Sequence, residues 1–299
     1  MRTATTIEAS GFDEWSQLTD FVVEADKLGL DICWVVEAWG SDAPSALGYY
    51  AARTERMLLG SGIMQLGTRT PVAVAQTAIT LSNLSEGRFL LGLGASGPQV
   101  IEGLHGVAFA RPLARMRETV EIVRRVLEGG KISYFGGEFQ IPRPGGDAVP
   151  MRLSMRAHHP ISIYLATLSP AMLRLTGEVA DGWLGTSFVP EGAADAYFRY
   201  LDEGLAVVVV PGRSWMSARA PRSPSRPTKM PCARWWPGGR RSWPSASAVW
   251  VRRRRTSTTR PTAGRGGPRS PPRCANAGRP ATVTGRPSSS LTRWCSAQR

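Results

Sequence analysis

Residues 59–106 read LGSGIMQLGTRTPVAVAQTAITLSNLSEGRFLLGLGASGPQVIEGLHG. The first apolar run belongs to 56–64 (RMLLGSGIM), and its continuous aliphatics predict a strand buried on both faces. Thr70-Pro71 is a capping residue followed by the residue favoured at the first helical position, which predicts a helix over 71–84. Residues 88–93 (RFLLGL) predict a second buried strand. A strand–helix–strand order with both strands apolar throughout is the repeating unit of a parallel sheet covered by helices.

The same alternation extends in both directions. A short β-prone segment spans 2–9. A helix is predicted over 11–28, with Trp15, Leu18, Val22 and Ala25 on one face and Gly29 as its stop. Residues 31–37 (DICWVVE) read as a strand and 43–54 as a helix. The helix over 111–127 places Met116, Val120, Val123 and Leu127 on one face and ends at Gly129-Gly130. Residues 161–166 (ISIYLA) and 182–186 (GWLGT) read as strands. Between them Ser169-Pro170 repeats the cap signal for a helix to 179, and 191–205 reads as helical. About six β/α units in roughly 200 residues predict an α/β barrel or a doubly wound sheet. GLGASG at 92–97 has the G-x-G-x-x-G spacing but follows the fourth strand, a weak signal whose plainer reading is a glycine-rich turn.

The 299 residues carry a net charge of +14, but that average hides a break near Leu205. Residues 1–205 hold 17 basic and 23 acidic side chains, a net of −6. Residues 206–299 hold 19 Arg and one Lys with no Asp or Glu, a net of +20. They also hold 13 of the 23 Pro and 6 of the 10 Trp, no Ile, Phe or Tyr, and a single Leu, Leu291. Proline is too frequent for helices and aliphatics too scarce for strands, so no regular structure is expected there. A nucleic-acid-binding arm would use the Arg and Trp for phosphates and base stacking. A solvated tail is a second reading. The third, and the one we favour, is an out-of-frame translation of GC-rich coding DNA. A functional basic segment has no need to lose Asp, Glu, Ile, Phe and Tyr together.

No run of about 18 apolar residues exists, which argues against a membrane helix. The opening MRTATTIEASGFDEW lacks an apolar secretory segment, which points to a cytoplasmic chain. Four Cys without close pairing argue against a disulfide scaffold or zinc ribbon, and three His (His105, His158, His159) against a histidine metal site. Cys33 reads as a small core residue within a strand. No Ser-His-Asp or Cys-His set is visible, so no catalytic residue is assigned and no metal is expected.

In a β/α barrel, chemistry collects on the loops that follow the strands. Here those loops are 37–43, 62–71, 94–100, 166–170 and 185–188. Thr167-Leu168-Ser169-Pro170 places two hydroxyls at a helix start, where backbone N–H groups favour an anion. On pattern alone an ordinary N-cap is slightly favoured. Such a cradle among apolar loops, without an acid/base set, points to a phosphate-bearing redox cofactor that carries the chemistry itself.

The 59–106 block, with EAWGSDA (37–43), YFGGEFQIP (134–142) and ISIYLATLSPAMLRLTGEVADGWL (161–184), resembles the luciferase-like monooxygenase superfamily. The likeness is strongest to its deazaflavin-dependent oxidoreductase branch and covers about 1–205. The resemblance implies a (β/α)8 barrel binding coenzyme F420, or FMN in sister branches, at the C-terminal ends of the strands. It implies hydride transfer between reduced F420 and a small organic substrate, with an FMN-dependent monooxygenase as the alternative. A basic nucleic-acid-binding protein is the alternative of another class. Position by position, the acid after the second strand matches Glu37, where several relatives continue with His and this chain has Ala38. The cofactor-supporting bulge, a non-prolyl cis peptide in the family, matches Gly62 and Ile63. The loop after the fourth strand matches Ser96 and Gly97, and the phosphate cradle matches Thr167, Leu168 and Ser169. The expected partner is a small-molecule substrate, with no membrane, nucleic acid bound at most non-specifically through the basic segment, and a homodimer left open. Units seven and eight of the family barrel fall where the composition changes, so the barrel is expected to be incomplete.

Overall fold

The computed structural model describes residues 3–9, 11, 14–186, 192–207 and 247–251. Six β/α units follow one another. They are β1 (Ala4–Ile7) with α1 (Glu14–Lys27), β2 (Ile32–Val35) with α2 (Ala43–Ala51), and β3 (Leu58–Ser61) with β4 (Met64–Gln65) and α3 (Pro71–Leu84). Then come β5 (Phe89–Gly94) with the short α4 (Pro98–Ile101) and α5 (Pro112–Glu128), and a hairpin of β6 (Tyr134–Phe135) and β7 (Gln140–Ile141). β8 (Ser162–Ala166) leads to α6 (Pro170–Val179), and β9 (Gly182–Thr186) leads through a π-helical turn (Ala194–Phe198) to α7 (Arg199–Val207). The main sheet runs β1-β2-β3-β5-β8-β9, parallel throughout, with β4 extending β3 alongside β5. It is a curled parallel half-barrel with its helices on the outside.

The alternation of side chains along the strands sorts them into two layers. Cys33, Val35, Leu59, Phe89, Leu91, Leu93, Ile163 and Leu165 face the helices and join one core with Val22, Leu47, Val74, Ile79, Val120 and Val123. Ile32, Trp34, Leu90, Tyr164 and Leu184 line the concave face, with Leu58, Ile63 and Ala166 against them. Both faces of the strands are therefore dry, which is why they read as unbroken apolar runs. Cys33 is fully buried, and burial pushes its thiol up to about 12, so it is a core residue and not a nucleophile.

Where helices meet, backbone approach sets the sequence. A Cβ on Gly204 would lie 1.8 Å from the Arg174 carbonyl oxygen, and one on Gly177 2.1 Å from that of Leu201. The α6–α7 contact thus needs glycine on both sides. Asp26 on α1 ties the β/α units from below: its carboxylate accepts the N–H groups of Glu55 (2.8 Å), Arg56 (3.2 Å) and Met57 (2.6 Å). Glu118 on α5 anchors the hairpin by accepting the N–H groups of Gly137 (2.8 Å), Glu138 (3.0 Å) and Phe139 (2.9 Å).

Three expectations are corrected. The strand expected over 56–64 is two strands, because the chain bulges between them. The last helix begins at Ala194 as a π-helical turn and continues to Val207, past the expected end at 205. In the basic segment, where no strand was expected, Ser247–Val251 forms β10, antiparallel to β9, with Cα atoms within 8 Å of β1. SAVWV carries two β-branched residues and a Trp, the local chemistry that a strand favours. The remaining expectations for 208–299 fall outside the described residues. Among the described residues no helix is long and apolar enough to cross a membrane, and no group of three His, Cys, Asp or Glu could hold a metal.

Candidate functional site

The strand pairing itself builds the centre of the site. β3 pairs with β5 at Leu59–Phe89 and Gly60–Leu90, and β4 resumes at Met64–Leu93 and Gln65–Gly94. Between the paired Gly60 and Met64 the chain has one residue more than between Leu90 and Leu93, so it bulges. Ser61 repairs the ladder across the gap: its hydroxyl donates to Gly92 O and accepts from Gly92 N–H, both at 2.9 Å. A Cβ on Gly92 would stand 1.9 Å from the Ser61 carbonyl oxygen, so the close approach requires glycine there. At the apex of the bulge the Gly62–Ile63 peptide bond is cis. Both residues are half-buried, and Ile63 packs onto the concave-face cluster.

Below the bulge lies Trp34, 2% exposed, edge-on to Tyr164 with ring centroids 5.2 Å apart. Gly60 makes room for its indole, since a Cβ there would come within 2.3 Å of the ring. The indole Nε1–H is buried and has no hydrogen-bond partner among the described residues.

Glu37, at the end of β2, is buried and its carboxylate is fully engaged by the protein. Arg69 grips it bidentately, with Nη1 to Oε1 at 2.5 Å and Nη2 to Oε2 at 2.9 Å. The Ala43 N–H donates to Oε2 (3.0 Å) and the Gln65 N–H to Oε1 (3.4 Å). The Gln65 side-chain amide then donates to the carbonyls of Glu37 (3.3 Å) and Ala38 (2.8 Å). Glu37 therefore joins the loop after β2 to the loop after the bulge. Beside it Trp39 projects, 76% exposed.

Ser96 and Gly97 follow β5. Ser96 is exposed and adopts a left-handed backbone, φ 60°, uncommon outside glycine. Gly97 precedes the first turn of α4.

After β8 the three cradle residues diverge. The Thr167 hydroxyl is buried and bonded to the Thr176 hydroxyl (2.7 Å), while its carbonyl accepts the indole N–H of Trp183 (2.8 Å). Leu168 and Ser169 are exposed, and Ser169 sits at the N-cap of α6 without a side-chain capping bond. Of the two hydroxyls expected to face an anion, Ser169 remains available and Thr167 is turned into the core.

All eight expected residues thus stand at the C-terminal ends of four neighbouring strands, β2, β3, β5 and β8. The structure joins Glu37 to the bulge loop by hydrogen bonds. Sequence reasoning missed Arg69, Gln65, Ser61 and Trp34. Arg69 had a visible signal, as the one charge in loop 62–71. The other three gave none, because each acts through a strand distant in sequence.

The model of the luciferase-like monooxygenase family matches residues 1–228. The chain belongs to this family. The match runs 23 residues beyond the break in composition at 205. A Mycobacterium tuberculosis relative assigned as a coenzyme F420-dependent oxidoreductase is 39% identical over 193 residues, covering 62% of this chain and 55% of its own. The 5,10-methylenetetrahydromethanopterin reductase of Archaeoglobus fulgidus is 30% identical over 200 residues, covering 64% and 55%. The chain thus spans little more than half the length of these relatives. Among solved structures, an F420-dependent secondary alcohol dehydrogenase with an F420-acetone adduct has a TM-score of 0.60 at 19% identity, covering 69% of this chain and 65% of that one. The coenzyme F420-dependent tetrahydromethanopterin reductase of Methanopyrus kandleri has a TM-score of 0.56 at 22% identity, covering 69% and 61%. At such identities the likeness establishes the family fold.

Proposed function

We propose that this chain is the cofactor-binding part of an F420-dependent oxidoreductase that acts on a small organic substrate. The observation that carries the reading is the convergence of the eight expected residues on four adjacent strand ends, in a family whose relatives include proteins named for coenzyme F420. The residues present fit the group. The bulge offers an apolar Ile63 beside small Gly62 and Gly94, suited to the face of a planar ring. The ten-residue α6 offers the free N–H groups of its first turn and an uncommitted Ser169 hydroxyl to a phosphate. Two buried polar atoms, Trp34 Nε1 and Gln65 Oε1, have no protein partner among the described residues.

When bound, a reduced deazaflavin supplies a hydride. The rest is the work of this chain. Gly62 and Ile63 would support the ring, with Ser96 and Gly97 beside them. The Leu168 and Ser169 backbone and the Ser169 hydroxyl would hold the phosphate, while Thr167 fixes the turn from behind through Thr176 and Trp183. Glu37 acts as a positioning residue, since Arg69 and two N–H groups occupy its oxygens. The dry concave face beneath the bulge excludes water from one side of the site.

None of the residues given a role here lies within 206–299. We read that segment as translated out of frame, so the remaining units of the barrel would be encoded in another frame. Titration of the chain with F420, followed by deazaflavin fluorescence, tests the functional reading. Saturable binding that weakens when the phosphate-bearing side chain is removed from the ligand supports it, and absence of binding overturns it. An FMN-dependent monooxygenase is the alternative.

A further inference from the structure

The loops after β4 and β5 frame a pocket of about 20 Å³, lined by Leu66, Gly67, Ala95, Ile101, Phe109 and other apolar residues, and by Arg115 of α5. That is room for about one or two water-sized groups. Among the described residues, Arg115 is the one lining side chain with a charge or a hydrogen-bonding group. The pocket adjoins the strand ends described above. Leu66 and Gly67 directly follow β4, and Ala95 lies between Gly94 and Ser96. A Cβ on Gly94 would stand 2.7 Å from the Ile63 side chain, so the bulge and the pocket wall are neighbours.

Arg115 has no counter-charge among the described residues, because the acids on the segments around it are engaged elsewhere. Glu118, one turn on, accepts the N–H groups of Gly137, Glu138 and Phe139. Glu138 pairs with Arg111 at 2.7 Å. Glu102 accepts the Phe109 N–H at 2.9 Å, and Glu121 the Tyr134 hydroxyl at 2.8 Å. The guanidinium is set over the Phe139 ring, 5.5 Å from its centroid, and the side chain is half-buried. Its Nε is buried and donates to nothing among the described residues. A guanidinium cannot shed its charge, and an undirected donor against an apolar wall is costly.

Size and shape select what would satisfy it. The planar fork of Arg matches the two oxygens of a carboxylate, which need little more than the space of two waters. A phosphate, with four oxygens on a tetrahedron, is too large. We infer that this pocket binds the carboxylate end of a small organic acid on Arg115, with the body of the acid outside, against the loops after β4 and β5. Those loops border the proposed cofactor site, so the acid is the substrate. That last assignment rests on the F420 reading above, whereas the pocket itself does not.

Saturation-transfer NMR on the full chain, with propionate and with neutral propionamide of the same shape, tests the pocket. Propionate should bind about 10-fold or more tightly than propionamide, the equivalent of one charge-assisted hydrogen bond. The basic segment past 205 attracts any anion, so two variants locate the binding. Arg115→Met should abolish the preference for propionate. Ala108→Leu should do the same, because it adds bulk at an exposed lining position and leaves Arg115 in place. Equal binding of the two probes to the parent chain, or a preference that survives in either variant, overturns the inference. A repeat with F420 at saturation identifies the source of the carboxylate, since F420 carries carboxylates in its own side chain. Retained propionate binding supports the substrate assignment. Displacement of propionate by F420 gives the pocket to the cofactor and overturns that assignment. The first comparison runs without F420, so its failure leaves the F420 reading intact, and a chain that binds propionate but not F420 loses that reading and keeps the pocket.

Discussion

Replacing Arg69 with Met leaves the Glu37 carboxylate buried without its counter-charge. Glu37 and Arg69 side chains are 8% and 21% exposed, and two hydrogen bonds of 2.5 and 2.9 Å join them. Removing one partner of a buried ion pair costs about 3–5 kcal/mol. Here the carboxylate keeps the N–H groups of Ala43 and Gln65, and Arg69 is partly wet, so the loss should fall near the lower end, about 3 kcal/mol. With a urea slope of about 2 kcal/mol/M, the unfolding midpoint should drop by about 1.5 M without a change in slope. The double variant Glu37→Gln/Arg69→Met removes both charges and keeps an oxygen for the Ala43 N–H. It should recover to within about 1 kcal/mol of the parent, because replacing a whole buried pair is often nearly neutral. F420 affinity should fall in the single variant, since the loops after β2 and the bulge lose their tie. A single variant within about 0.5 kcal/mol of the parent, the range of an ordinary surface change, would refute the clamp. So would a double variant as unstable as the single one.

Gly204→Ala should destabilise by about 2 kcal/mol or more, because its Cβ would stand 1.8 Å from a backbone oxygen of α6. Gly130→Ala, with nothing within 4 Å of its Cβ, is the matched control in the same thermal melt. Asp26 is pushed up by burial but held below the usual carboxylate range overall by three backbone N–H groups and the Arg56 charge. Its stabilisation is therefore present above the unfolded value of about 3.9 and is lost as pH falls through the lower folded value. The stability gap between parent and Asp26→Asn should accordingly be wide at neutral pH and narrow in acid, as urea melts at both would show. Sequencing the gene past codon 205 should reveal that a shifted frame restores Asp, Glu, Ile, Phe and Tyr; an unbroken frame lacking them in independent clones would count against the out-of-frame reading.

The architecture was legible in the sequence because strands buried on both faces leave unbroken aliphatic runs, as in 31–37 and 88–93. Thr70-Pro71 and Ser169-Pro170 marked helix starts that the structure places at Pro71 and Pro170. The interruption of 56–64 was hidden, since nothing local distinguishes a residue in a ladder from one in a bulge. It is the Ser61 hydroxyl meeting Gly92, 31 residues away, that closes the gap. The Glu37–Arg69 pair spans 32 residues and was invisible for the same reason. In the Thr167–Ser169 cradle, the pattern marks the turn but not which hydroxyl faces inward. That depends on Thr176, one helix away, and on Trp183 from the next strand. SAVWV does not stand out as a strand in the sequence because the composition around it outweighs its own five residues.

The central claim is that the four strand ends form a deazaflavin site. Competitive equilibrium binding of F420 and FMN to the full chain, read by their separate fluorescence, tests it most directly. Saturable F420 binding that excess FMN displaces poorly is the expected result. Tighter binding of FMN than of F420 would contradict it.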